Sequence, residues 1–122
     1  MRPNTQTNIN GADASVNQAG LTIRADQVVA ISAQVVSTGS STGTLNIQMS
    51  NDPDSACTTD SNGNLQPVNW SNIATIGTVT VAAASVANIP KFDVCAKWLR
   101  GSYVKNNGSA GTITVQIQTI AL

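Results

Sequence analysis

Acidic side chains are the residues of this chain whose type and spacing come nearest to supporting catalysis. The 122-residue sequence contains no His and no Glu, so the common general base and the Ser-His and Cys-His nucleophile pairs are missing. Asp52 and Asp54 point to the same side if their segment is extended, as a carboxylate pair for glycoside hydrolysis requires. They flank Pro53 in a loop, however, where acids more often form turns or caps. The sequence therefore predicts no enzyme and no catalytic residue.

The same stretch offers oxygen ligands for calcium. Asp52, Asp54 and Asp60 are the candidate carboxylates, and Asn62 and Asn64 could add amide oxygens. The run Asp-Ser-Asn-Gly-Asn at 60–64 resembles a calcium loop superficially, but its Gly is misplaced and the closing bidentate Glu of an EF-hand is absent. Turn propensity alone explains such a cluster. No metal or other cofactor is predicted, and calcium remains the less favoured interpretation.

Aromatic side chains are the usual platforms for sugar rings, and Trp70, Trp98 and Tyr103 are the candidates here. Trp98 lies in an alternating segment with Tyr103 on the opposite parity, so at least one parity is expected to be buried. Trp70 stands at a loop-to-strand junction, where we expect it to close the end of the core. Arg100 lies among apolar residues and needs a partner, for which we expect Asp93 or a carboxylate of another subunit. Trp70 and Arg100 are therefore the interface or ligand candidates.

Two cysteines complete the set, Cys57 in a polar loop and Cys95 at the start of a predicted strand. The N-terminus has no apolar run, so no signal peptide is predicted, and no stretch approaches the ~18 apolar residues of a membrane span. Synthesis in a cytoplasm, where thiols stay reduced, is therefore expected. Unpaired thiols are favoured, and a disulfide formed after release from the cell stays open as the alternative. Two Cys without His are too few ligands for zinc.

The segments that must position these side chains follow an antiparallel β pattern. Residues 35–48 and 103–116 read as one unit written twice: a strand, a small polar turn ending in Gly-Thr, and a strand alternating apolar with polar residues. Each copy predicts a β-hairpin with one dry and one wet face, and duplication would put both copies in equivalent places. Residues 73–76 and 94–104 are further strand candidates, and residues 86–90 are a predicted connection. No window favours a helix.

Composition favours a single all-β domain. Charged residues make up 10% of the chain, against ~25% in ordinary soluble domains, and the formal net charge is zero. Thr, Ser, Asn and Val stand in place of good surface helix formers. We predict an antiparallel β-sandwich or jelly roll over residues 20–122, preceded by an extended N-terminal arm over residues 1–19. The neutral surface suits either a small free β-domain or a protein packed in an assembly, and six scattered basic residues form no nucleic-acid patch.

Four motifs, in this order along residues 28–122, resemble those of small bacteriophage virion proteins that decorate capsids or serve as minor capsid proteins. They are the strand 43–48 leading into Ser50-Asn51-Asp52, the pair Asn69-Trp70, the run Trp-Leu-Arg-x-x-Tyr at 98–103, and the final Gly-Thr-Ile-Thr-Val at 111–115. The sequence departs from this pattern in a longer loop between Asp52 and Asn69 and in Ala110, where a second Gly is expected. The resemblance implies a β-sandwich without enzymatic activity.

Two functions from different classes follow. By resemblance, the chain is a virion structural protein that decorates or stabilises a phage capsid, forms a homo-oligomer and contacts the major capsid protein or other virion proteins. The alternative is a carbohydrate-binding module, free or carried by a virion, that binds a glycan through residues 51–69 and Trp70. In either case the sequence predicts neither a nucleic-acid partner nor a membrane span.

Overall fold

The computed structural model describes residues 2–122, and these residues form strands, turns and a single short 3₁₀ turn at Asp54–Ala56. The strands are β1 (Arg2–Asp13), β2 (Gln18–Ala19), β3 (Ile23–Arg24), β4 (Val28–Ser37), β5 (Gly43–Ser50), β6 (Thr58–Thr59), β7 (Leu65–Gln66), β8 (Ser71–Asn72), β9 (Thr78–Val81), β10 (Val86–Asp93), β11 (Trp98–Lys105) and β12 (Thr112–Ala121). No helix among them has the length and hydropathy to cross a membrane. The all-β prediction is confirmed.

Two antiparallel sheets pack face to face. Sheet A has the order β1-β12-β4-β10. Sheet B has the order β2-β11-β5-β8, with β3 also beside β11 and β9 also beside β5. The core fills the space between them, because each long strand turns alternate apolar side chains inward. Fully buried members are Ile31 and Val35 of β4, Leu45 and Ile47 of β5, Leu99 and Tyr103 of β11, and Ile113, Val115 and Ile117 of β12.

The two repeated segments do not form hairpins, so that prediction is wrong. Strand β4 belongs to sheet A and β5 to sheet B, while β11 belongs to sheet B and β12 to sheet A. Each segment is therefore an arch that crosses the core, and we call them the first arch (residues 35–48) and the second arch (residues 103–116). The arches pair with each other, β4 with β12 and β5 with β11. Alternation in the sequence determines which face of a strand is buried, but it does not determine which strand pairs with it.

The turns of the two arches are bonded to each other as well. The Thr38 amide donates to the Thr112 carbonyl at 2.9 Å, and the Asn106 amide donates to the Thr42 carbonyl at 2.9 Å. The buried Tyr103 hydroxyl lies 2.9 Å from both the Thr42 carbonyl and Ser109 Oγ. The two copies thus occupy equivalent places in the two sheets, as the sequence likeness suggested.

The N-terminal segment is an edge strand of sheet A. We expected residues 1–19 to lie outside the sandwich as an arm; residues 2–13 are extended, but they pair with β12 along their length. The sandwich therefore begins at residue 2 among the described residues, and Met1 lies outside them. Register shifts between Thr7 and Ile9 and between Ile9 and Ala12 break the alternation. These bulges explain why no β period is visible in this part of the sequence.

Three shorter predictions also change. Residues 86–90 are not a connection but the start of β10, where Pro90 is tolerated because β10 is an edge strand. Residues 73–76 form a turn, in which Thr75 has a φ of 66°. The strand expected over 94–104 begins only at Trp98, so Cys95 lies in the loop before it.

Candidate functional site

The candidate residues of the sequence analysis converge on one region, the outer face of sheet B and the loop that covers it. We call residues 51–69 the excursion, because they leave sheet B after β5 and return to it at β8. The excursion contains the small hairpin β6–β7. Its first residues are bonded to β11 and the residue before it: the Lys97 amide donates to Asn51 Oδ1 at 2.9 Å, and Trp98 Nε1 donates to the Asp52 carbonyl at 3.0 Å. The excursion is therefore held on the sheet and is not a free loop.

Asp52 closes the base of the excursion. One carboxylate oxygen accepts the Val68 and Asn69 amides at 2.9 and 3.0 Å, and the other accepts Asn69 Nδ2 at 3.1 Å. The backbone and side-chain hydrogen bonds from Asn69, with that from Val68, lower the pKa of Asp52. The carboxylate is thus committed to joining the two ends of the excursion.

The other two calcium candidates are occupied elsewhere. Asp54 pairs with Lys97 Nζ at 3.1 Å and Arg24 Nη1 at 3.3 Å, and the hydrogen bond from Lys97 is the main cause of its lowered pKa. Asp60 Oδ1 accepts the Asn62 and Asn64 amides at 2.9 Å, which shapes the turn of the β6–β7 hairpin and lowers the Asp60 pKa. Across residues 2–122, no three metal-ligating Cys, His, Asp or Glu side chains gather at one point.

Trp98 is buried, but not in the sandwich core. Leu99 and Tyr103 point between the sheets, so Trp98 projects from the opposite, outer face of β11. Its exposed fraction is only 4%, because the excursion lies over it and the Arg24 guanidinium stacks on its ring at 4.5 Å. The Trp98 ring therefore holds the excursion on the sheet and has no exposed face on which a ligand could stack.

Trp70 and Arg100 form a second stack on the same face. The Arg100 guanidinium lies 4.3 Å from the centre of the Trp70 ring, and its Nε donates to Gln48 Oε1 at 2.8 Å. The half-buried Trp70 thus covers the sheet from outside, and the expectation that it closes the end of the core is wrong. The expected ion pair with Asp93 is replaced by this stack and by Gln48. Burial lowers the pKa of Arg100.

A groove opens between the β6–β7 hairpin and β3. It has a volume of about 550 Å³, and its walls include Leu21, Thr22, Asp60, Gln66 and Trp98. Thr22 Oγ1 donates to Gln66 Oε1 at 2.6 Å, and Gln66 Nε2 donates to Asp60 Oδ2 at 3.2 Å. Thr22 and Gln66 were not predicted as site residues, because nothing in their spacing shows that β3 lies beside the hairpin.

The two cysteines are both unpaired. Cys57 is half-buried in the excursion, and burial raises the pKa of its thiol. Cys95 is exposed in the loop that precedes β11.

Comparison with known proteins identifies a class of fold. No known family matches the sequence, and no curated protein is significantly similar to it. The chain resembles the solved structure of PBSX exported protein XepA, with a TM-score of 0.68 and 17% identity over 97% of the chain. It spans only 37% of that protein.

Two further structures resemble the chain over nearly their whole length. SPBc2 prophage-derived protein YomS has a TM-score of 0.55 and 10% identity, with 99% of this chain and 96% of that one covered. A pilus protein of Bacillus endospore appendages has a TM-score of 0.53 and 11% identity, with 98% and 88% covered. At these identities the likeness establishes a shared β-sandwich fold.

Proposed function

We propose that the protein is a non-enzymatic structural component of a phage or prophage-derived particle, held there by contacts with other particle proteins. The observation that carries this proposal is the shared fold with a prophage-derived protein, YomS, over almost the full length of both chains. The pilus protein of Bacillus endospore appendages, which form disulfide-linked pili, has a similar fold. The resemblance in the sequence motifs points to the same class of protein.

The chemistry of the excursion supports a structural role. Its three carboxylates are bonded to backbone amides, to an amide side chain or to basic side chains of the same chain. Such groups stabilise a covering loop and leave little free chemistry for a substrate. The proposed role on the particle is to decorate or stabilise a capsid, with the major capsid protein as partner.

The carbohydrate-binding alternative finds less support in the geometry. Trp98 is buried, and Arg100 covers one of the two faces of the Trp70 ring on which a sugar could stack. A glycan stacked on that face would have to displace a guanidinium that is already bonded to Gln48. The groove beside the β6–β7 hairpin has no open aromatic face.

The proposal is tested by peptide mass spectrometry on density-purified particles from the source culture, with copy numbers estimated against the major capsid protein. We expect the chain in a fixed stoichiometric ratio that persists through a second density gradient. A ratio near one per capsid subunit assigns it to the lattice, and a much lower ratio assigns it to vertices or a tail. Absence from intact particles would overturn the proposal.

A matched pair of variants separates the two candidate functions. Purified wild type is added to particles that lack it, beside Trp70→Ala and the exposed control Val68→Ala. Under our proposal both variants still attach if they remain folded, because the Trp70 ring contacts Arg100 and Pro67 of its own chain. The carbohydrate module would be favoured if a folded Trp70→Ala no longer attached and if only proteins that keep Trp70 bound a particle glycan.

A further inference from the structure

The outer face of sheet A carries two uncharged rows of side chains that cross its strands. The first row is Thr7, Gln116, Gln34 and Asn88, which are direct cross-strand neighbours on β1, β12, β4 and β10. The second row is Thr5, Gln118 and Ser32 on β1, β12 and β4. Beside them lies Pro90, which lines a shallow groove of about 400 Å³ together with the other residues of the two rows except Thr7. The centre of this face contains hydroxyls and amides and no charge.

These side chains keep most of their hydrogen-bonding capacity free. Within the rows, Thr7 Oγ1 donates to Gln116 Oε1 at 3.2 Å. Gln34, Gln118, Asn88 and Thr5 are exposed to solvent. An amide side chain has both donors and an acceptor, so a face made of such groups can bond to a copy of itself. A face built from one sign of charge could not.

We propose that the outer face of sheet A is the interface through which two copies of this chain associate about a twofold axis. A twofold interface brings the same patch of both subunits together, which requires a surface complementary to itself. The neutral amide rows meet this requirement. Exposed apolar side chains, Val36 and its cross-strand neighbour Val86, lie at one end of the rows and add apolar contact.

The size of the face agrees with this partner. Four strands ~4.8 Å apart and about ten residues long, at ~3.4 Å each, give a face of roughly 600 Å² before side-chain relief is counted. This approaches the ~800 Å² per partner of a standard protein interface. Two sheets packed at ~10 Å also bury amides that can bond across the interface. A dimer with a dissociation constant on the order of micromolar is expected for such a polar contact.

The association is tested by sedimentation equilibrium of the full chain from ~1 µM to ~1 mM, the range in which a polar interface of this size dissociates. We expect the mass to rise toward twice the 12.5 kDa of one chain. Gln34→Lys places like charges at the centre of both faces and should raise the dissociation constant at least ~10-fold. Gln118→Lys, in the neighbouring row, should act in the same direction.

Controls keep the result specific to this face. Val104→Lys adds the same charge at an exposed position on the outer face of sheet B and should leave the dissociation constant unchanged. Mixing Gln34→Lys with Gln34→Glu should restore a heterodimer, provided that circular dichroism shows both variants to be folded. A wild type that stays monomeric at ~1 mM, or a dimer weakened by Val104→Lys and not by Gln34→Lys, overturns the inference. The outcome does not depend on whether the protein is found on particles.

Discussion

The two outer faces of the sandwich differ in how the chain uses their polar side chains. On sheet B, Arg24, Trp98 and Arg100 are stacked or bonded, the excursion lies over Trp98, and Trp70 covers Arg100. On sheet A, Gln34 and Gln118 stand exposed with no loop above them. The comparison shows that similar strands can present a finished face, on which the polar side chains are bonded and covered by a loop, or an open face, on which they are exposed to solvent. What decides between them is whether the connection after a strand folds back over the sheet.

Replacing Trp98 on the covered face of sheet B is expected to have the largest effect on stability. We expect Trp98→Ala to lower the free energy of unfolding by ~3–5 kcal/mol, because the ring is buried under the excursion and its removal leaves a cavity. The measurement is urea denaturation followed by circular dichroism. Val104→Ala, on the same strand and the same outer face but 45% exposed, serves as control and should change stability by less than ~0.5 kcal/mol. Equal effects of the two changes would mean that the excursion does not cover the sheet.

A second prediction concerns Asn8, which ties the N-terminal strand of sheet A to sheet B. Its Oδ1 accepts the buried Gly101 amide at 2.9 Å, and its Nδ2 donates to the Leu21 carbonyl at 2.8 Å. Asn8→Ala leaves these backbone groups without a partner, so we expect a loss of ~1–3 kcal/mol in unfolding free energy. The exposed Asn10, changed to Ala in the same strand, provides the comparison. If Asn10→Ala costs as much, the effect belongs to the strand and not to the bridge between sheets.

Sequence reasoning succeeded where one strand could be judged by itself. The alternating apolar and polar residues at the end of the second arch predicted β12 and its buried face, to which Ile113, Val115 and Ile117 contribute. It failed where the answer depends on which strands are neighbours. The two arches have the pattern of hairpins, and only their pairing with each other shows that they cross the core. In the N-terminal segment, bulges hid the period of β1.

Only part of the candidate site was predicted, because the rest depends on which strands are neighbours. The excursion was visible as a long polar stretch, and Trp70 and Arg100 were singled out by their types. Their stacking on each other could not be predicted, because it requires that β8 lie beside β5 and β5 beside β11. Gln48, which bonds Arg100 and Asn72, looks in the sequence like any outward polar residue of an alternating strand. The open face of sheet A was missed because no single residue in it is unusual.

A third prediction uses pH to open the excursion. The hydrogen-bonded Asp52 carboxylate has a lowered pKa in the folded protein, so it stabilises the fold above its ordinary value of ~3.9, and this contribution is lost as pH falls through the folded pKa. Asp52→Asn should therefore lower the melting temperature at pH 7, and the difference from wild type should shrink toward pH 2. Asp13, Asp54 and Asp60 also have lowered pKa values, so both proteins still lose stability in acid.

The same variant should expose the excursion to proteases. We expect limited proteolysis of Asp52→Asn at pH 7 to cleave within residues 51–69 earlier than in wild type, because the two ends of the excursion are no longer joined. Asp93→Asn removes an equal charge from β10 and should leave that cleavage rate unchanged. A difference from wild type that stays constant from pH 7 to pH 2 would show that the charge on Asp52 does not hold the excursion.

The smallest effect is expected on the open face. Gln34→Ala should change the unfolding free energy by less than ~0.5 kcal/mol when it is measured at a concentration well below the dissociation constant of the dimer. The side chain is exposed at the centre of sheet A, and its removal leaves no buried group unpaired. A matched change on sheet B, Gln48→Ala, should cost more, because Gln48 bonds both Arg100 and Asn72. If Gln34→Ala were the costlier of the two, the amides of sheet A would already be used within the monomer, and the contrast between an open and a finished face would disappear.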